Sequence, residues 1–193
     1  SRGVFPVEVG LMGRNEEMIE SREQFVEQAL AEYEGPLIGY ALGIVRDRDR
    51  ARDVVQDTFI RLYQQDREKV QRGLKTWLFT VCRNRALDIL RKEKRMVALE
   101  EEKAARLEGD TAAPDRVADW DERVTQVMDA LNRLSDNQRE VIHLKFQQGL
   151  SYQEISEATG LTSGNVGFLL HTGLKRLRSL LPEDILEKSV RKQ

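Results

Sequence analysis

The sequence predicts an all-α protein: two small helical domains joined by a flexible acidic linker, the C-terminal one containing a helix-turn-helix. Three observations carry that prediction. Only four prolines occur in 193 residues, among abundant Leu, Ala, Glu, Arg and Gln, which lose little freedom in a helix. Ser followed three positions later by Glu or Gln recurs ahead of apolar runs at Ser21, Ser135 and Ser151, the pattern of a capping box. Residues 151–171, SYQEISEATGLTSGNVGFLLH, set a glycine between two short amphipathic segments.

That last stretch organises the reading of the C-terminal half. Ser151 with Glu154 starts a helix whose apolar face is Ile155 and Ala158. Gly160 can take the positive φ of a C-terminal cap, and Leu161 packs the turn. Thr162 or Ser163 then caps a second helix bearing Val166, Leu169 and Leu170. Such a unit either presents its second helix to the major groove of DNA or serves as an ordinary hairpin in a bundle; the spacing favours DNA.

In chain order, residues 1–20 are set aside as an N-terminal tail. Ser21 and Gln24 open a helix through Phe25, Val26, Ala29, Leu30 and Tyr33; Gly35-Pro36 predicts a break or kink, after which Leu37, Tyr40, Ala41 and Ile44 resume the pattern. A polar turn at Asp47-Arg48-Asp49 leads into the most periodic segment, with Ala51, Val54, Val55, Thr58, Phe59 and Leu62 on one face. The opposite face carries Arg52, Asp53, Gln56, Asp57 and Arg61. Residues 65–75 read as a charged, glycine-containing loop. Residues 76–95 form a long helix with Trp77, Leu78, Val81, Cys82, Ile89 and Leu90 as apolar contacts. Its polar side is basic: Arg83, Arg85, Arg91, Lys92, Lys94 and Arg95 against Asp88 and Glu93, a concentration suited to a phosphate backbone.

Residues 96–120 are rich in acids and interrupted by GDTAAP, which reads as the flexible acidic linker. The second domain, 121–182, begins with Val124, Val127, Met128, Leu131 and Leu134 at helical spacing. A capped helix from Ser135 and Gln138 follows, with Val141, Ile142, Leu144 and Phe146, until Gly149 ends it. After the helix-turn-helix, Leu174, Leu177, Leu180 and Leu181 continue with Lys175, Arg176 and Arg178 outside, until Pro182 stops the helix. Residues 183–193 read as a C-terminal tail.

The composition narrows the function classes. Apolar residues at 40% and charged ones at 33% suit small cores under heavily charged surfaces. A net charge of −2 opposes nucleic-acid binding in aggregate, yet cations and acids are segregated along the chain. Cys82 is the single cysteine, so no disulfide forms within the chain and a reducing compartment fits. No apolar run reaches membrane-span length and no signal-peptide pattern is visible, so a cytoplasmic location without membrane insertion is expected. His143 and His171 lack ligand spacing with Cys82 or with each other, and no glycine-rich phosphate loop or nucleophile elbow occurs. No catalytic residue, metal or cofactor is expected, and the chain reads as a non-enzyme.

A basic helix, an acidic linker and a C-terminal helix-turn-helix, in that order, resemble the bacterial RNA polymerase sigma factors of the small two-domain extracytoplasmic-function (ECF) group. Residues 49–63 (DRARDVVQDTFIRLY), 74–95 (LKTWLFTVCRNRALDILRKEKR) and 134–178 carry the resemblance, which spans about 21–182. It implies a region 2 domain over 21–95 and a region 4 domain over 121–182. It further implies that Asp53, Gln56, Asp57, Phe59 and Arg61 support polymerase binding, Phe59 from the core side. Trp77, Arg83, Asn84, Asp88, Arg91 and Lys92 would serve the minus-ten element, Asn84 helping to hold a base flipped from the non-template strand, with 66–75 as part of the base pocket.

On the same resemblance, Ser163, Asn165, Phe168, His171, Lys175 and Arg176 would contact the minus-thirty-five element. The implied partners are core RNA polymerase through its clamp and flap regions, promoter DNA, and an anti-sigma factor or other protein regulator, all in a bacterial cytoplasm. The linker would run toward the polymerase's RNA path. The sequence departs from the family at Gly167, Leu169 and Thr172, where most members carry Lys or Arg. Phe168, on an exposed face, needs a thymine methyl or a protein partner. The competing reading is a stand-alone helix-turn-helix regulator, which would need neither the helix around Asn84 nor the one at 49–63.

Overall fold

Capping side chains set the start of most helices in the structure, a computed structural model that describes residues 9–103 and 121–190. Asp47, Asp66, Asp121, Ser135, Ser151 and Thr162 each accept a backbone N–H from the first turn that follows them. Among the described residues every regular element is helical. The chain divides between Val97 and Ala98 into two compact units, each with its own core.

The N-terminal unit contains α1 (Val9–Val45), α2 (Arg48–Gln64), α3 (Arg67–Val70), a 3-10 turn (Gln71–Gly73) and most of α4 (Leu74–Lys103). Helices α1 and α2 pack against each other after a reversal at Arg46, whose φ of 56° is left-handed. Leu37, Tyr40 and Ala41 of α1 are buried with Val54, Val55, Phe59 and Leu62 of α2 and with Leu78, Phe79, Cys82 and Ala86 of α4. The rings of Tyr40 and Phe79 meet edge to face, centroids 5.2 Å apart. Thr58, fully buried, is satisfied because its hydroxyl donates to the Val54 carbonyl at 2.8 Å. Burial pushes the Cys82 thiol up to about 12, against a weaker opposing hydrogen bond with Thr58; this is an inert core cysteine, as its place in an apolar stripe predicts.

Several local expectations change. Gly35-Pro36 does not break the helix: α1 runs unbroken from Val9 to Val45 and takes in much of the presumed 1–20 tail. Proline removes one intrahelical hydrogen bond. Gly35 and Pro36 lie on the exposed side, where water can serve the freed carbonyl, while buried Ala29 and Leu37 hold the helix to the core on either side. The 65–75 segment is not a loop, because Asp66 accepts from Glu68 N at 3.1 Å and Val70 is buried, which together wind it into α3 and the 3-10 turn. Helix α4 passes Arg95 and continues to Lys103, since MVALEEEK consists of good helix formers with no Gly or Pro. The remainder of the expected linker, 104–120, lies outside the described residues.

The C-terminal unit holds α5 (Glu122–Asn132), α6 (Asp136–Ile142), a π turn (His143–Gln147), α7 (Tyr152–Thr159), α8 (Ser163–Leu180) and α9 (Glu183–Val190). Its core is Ala130, Leu134, Val141, Ile142, Leu144, Leu150, Ile155, Ala158, Val166 and Leu170. Val124 and Met128 are exposed instead, as is Phe146 at 62%. Phe146 leaves the expected face because the ladder widens there: Gln148 N donates to the His143 carbonyl at 3.2 Å, five residues back. The expected C-terminal tail contains α9, started by Glu183 and Asp184 just past Pro182.

Phe79→Ala should cost about 3–5 kcal/mol by removing a fully buried ring, whereas Phe146→Ala should stay within about 0.5 kcal/mol. Equilibrium urea unfolding of the two variants beside wild type checks this contrast.

Candidate nucleic-acid and polymerase interfaces

Helix α4 buries Leu78, Phe79, Cys82 and Ala86, each fully shielded from solvent, and that choice dictates what faces outward. At about 100° per residue, Trp77, Asn84, Asp88 and Arg91 form one stripe on the side away from that core, with Arg83 and Lys92 on its flanks. Asn84, Arg91 and Lys92 are exposed, while Trp77, Arg83 and Asp88 are partly covered. The basic side is not uniformly available. Arg85 Nε donates to Asp57 Oδ2 of α2 at 2.6 Å, Arg91 pairs with Asp88 at 3.2 Å, and Glu93 pairs with Arg50 of α2. Two of these pairs bridge α2 and α4. With side chains 30–48% exposed, each contributes modestly to stability.

Among the residues expected to support polymerase binding, Asp53, Gln56 and Arg61 stand exposed on α2. Phe59 is 6% exposed and lies within the core. Asp57 is committed to Arg85, a partner that sequence spacing did not reveal because the two lie on different helices.

In the C-terminal unit the turn is built as its residues dictate. Ser151 and Glu154 cap each other's backbone at 3.1 and 2.8 Å. Gly160 sits at φ 76°, and Ser156 Oγ donates to the Leu161 carbonyl at 2.5 Å, which closes the turn. Thr162 Oγ1 accepts from Asn165 N at 3.2 Å and starts α8. A Cβ at Gly173 would stand 3.0 Å from Ile142 Cδ1, so α8 and α6 are in close approach there. Helix α8 therefore buries Val166, Leu170 and Gly173 and turns Ser163, Asn165, Phe168, His171, Lys175 and Arg176 outward, all six exposed. His171 and Lys175 help line a shallow open depression with Leu174 and Arg178.

Tyr152 was not singled out from sequence, yet it belongs to this surface. It is 46% exposed, Lys145 Nζ sits 5.4 Å from its ring centroid, and a Cβ at Gly167 would stand 3.5 Å from its Cε2. The signal that could have found it is the glycine at 167, a vacancy on α8 that an aromatic from α7 adjoins.

Residues 30–96 match Sigma-70 region 2, and residues 125–177 match Sigma-70, region 4. The chain is 30% identical over 167 residues to the ECF RNA polymerase sigma factor SigX of Bacillus subtilis (strain 168), spanning 82% of this chain and 86% of that one. It is 34% identical over 155 residues to the ECF RNA polymerase sigma factor SigL of Mycobacterium tuberculosis (79% and 86%). Among solved structures, the sigma factor RpoE in complex with the anti-sigma factor NepR, from Bartonella quintana, matches with a TM-score of 0.61 at 29% identity, over 80% of this chain and 94% of that one. Region 2 followed by region 4 defines a sigma-70-type transcription initiation factor. The chain belongs to the ECF group of these RNA polymerase sigma factors. Nothing in these matches supports the stand-alone regulator.

His143, in the π turn, is mostly buried; burial pulls its pKa below the usual value, against a smaller opposing pull from Glu140. Its Nε2 lies 3.3 Å from Gln148 Nε2. Because the folded pKa is the lower one, this histidine's contribution is fully present above the unfolded value of about 6.5 and is lost as pH falls through the folded pKa. Wild type should therefore lose stability below about pH 6.5 more steeply than His143→Gln, a difference measurable by thermal melts across pH 5–8.

Proposed function

We propose that α2 holds polymerase, α4 captures the minus-ten element and α8 reads the minus-thirty-five element. As an ECF sigma factor, the chain binds core RNA polymerase, recognises promoter elements and helps melt DNA to start transcription. The observation that carries the residue assignment is the α4 stripe: Trp77, Asn84, Asp88 and Arg91 aligned opposite the buried Leu78, Phe79, Cys82 and Ala86, with Lys92 exposed beside them. A melted strand exposes bases that an aromatic and an amide can stack and hydrogen-bond, and cations further along can follow the phosphates. Captured bases cannot restack, so the open form is trapped.

On α2, Asp53, Gln56 and Arg61 are the groups assigned to polymerase contact. Phe59 shapes that face from beneath, and Asp57 acts by fixing α4 through Arg85. Acids neutralise part of the basic surface, which weakens binding of free protein to DNA. Docking on polymerase supplies the missing affinity by making each DNA contact effectively intramolecular. The site of action is then the bacterial cytoplasm, where polymerase and promoters meet. An anti-sigma factor is the proposed regulator, by analogy with the RpoE–NepR complex.

Run-off transcription with purified core polymerase on a promoter library should give promoter-specific initiation only when this protein is added. Tight binding of the protein alone, as a dimer on palindromic sites and without polymerase association, would overturn the reading. Asn84→Ala should lower open-complex formation on the order of tenfold, the worth of one captured base, and closed-complex binding far less. Permanganate reactivity and closed-complex affinity measure the two stages; equal losses in both would remove Asn84 from base capture.

A further inference from the structure

We propose that Phe168 reads a thymine of the promoter's upstream element through its C5-methyl group, which makes α8 an apolar reader where a charged one is usual. The inference rests on the assignment of α8 to the minus-thirty-five element. Phe168 is 64% exposed and points directly away from Val166, Leu170 and Gly173, so no packing within the described residues requires it. From Ser163 to Thr172 the helix carries neither Lys nor Arg, and the groups available for base reading in its first turns are Ser163, Asn165 and Phe168.

The spacing of Asn165 and Phe168 fits neighbouring base pairs. Three residues along a helix rise about 4.5 Å, against about 3.4 Å between stacked pairs. In the major groove an apolar side chain recognises the thymine methyl, and an Asn amide pairs with the edge of adenine. The glycines beside Phe168 fit close approach. A Cβ at Gly164 would meet nothing within 4 Å, and one at Gly167 only Tyr152, so neither glycine is imposed by crowding. Both sacrifice helix propensity and leave the flanks of the ring bare.

Charge identifies the occupant. Lys145 stands over Tyr152 on one flank, and Lys175 and Arg176 lie about two turns along the same helix. An exposed ring bracketed by cations suits a polyanion whose bases present methyl groups, and suits an apolar protein surface poorly. Because a methyl contact displaces no counterions, it adds sequence preference without adding salt dependence.

The test uses holoenzyme assembled from this chain and core polymerase, on promoters that wild type selects from a library. Each thymine of the upstream element is replaced singly by deoxyuridine, which deletes only the methyl. One such replacement should weaken closed-complex binding of wild type about fourfold, the worth of one buried methyl. Phe168→Ala should bind the parent promoter at least that much more weakly and be indifferent to the same replacement. Circular dichroism checks that this exposed substitution leaves the fold intact. The proposal is overturned if no deoxyuridine has an effect, or if the effect persists undiminished in Phe168→Ala. It is also overturned if Phe168→Ala loses polymerase affinity while keeping its promoter preference, which would assign the ring to a protein surface. Randomising the whole upstream element separates the two levels: indifference of wild type removes α8 as the reader, whereas sensitivity with silent deoxyuridines removes only Phe168.

Discussion

Burial of the stripe formed by Leu78, Phe79, Cys82 and Ala86 is the constraint on which the N-terminal unit depends. A helix has one surface to divide between core and solvent. Once these four side chains face Tyr40 and Leu37 of α1, the heading of every polar residue on α4 follows from the helical repeat. Asn84 and Arg91 face outward because Cys82 and Ala86 face inward. The ion pairs Asp57–Arg85 and Arg50–Glu93 also link α4 to α2, so the helix proposed to meet polymerase and the helix proposed to meet DNA share one framework.

The same pairs moderate the electrostatics. A helix with this many cations would bind any nucleic acid if all of them were available. Here Arg85 is turned sideways and Arg91 is partnered by Asp88, while the chain as a whole is net negative. On the proposed function, affinity would then be set by assembly on polymerase rather than by charge alone, which suits a factor that must release non-promoter DNA.

Where one side chain specifies its own backbone, the sequence was readable. Asp47, Ser135, Ser151 and Gly160 act within a few residues of their own positions, and each does what its type and spacing predict. The all-α architecture and the helix-turn-helix follow from such local rules, whereas the two regions and the contact set on α8 rest on the family resemblance. What escaped depends on neighbours distant in sequence. Phe79 lies off the stripe of Trp77, Leu78, Val81 and Cys82; its burial needs a wider apolar arc, which arises because α4 meets both α1 and α2. The unbroken path of α1 through Pro36 depends on packing either side of it, and the partnership of Asp57 with Arg85 on contact between separate helices. Tyr152 reads as an ordinary surface residue until the vacancy at Gly167 is seen beside it.

The π turn at His143–Gln147 sets a phase rather than a contact. An α-helical continuation would advance each residue by about 100°, so the widened turn alters the heading with which the chain enters Gly149, Leu150 and the helix-turn-helix. What it encodes is a count of residues more than their identity. Side chains such as Phe146 and Gln147, being exposed, are replaceable there, but deletion of a single residue would rotate everything downstream against Val141 and Leu144. Length variation should accordingly be excluded from these five positions even where the exposed Phe146 and Gln147 drift in composition.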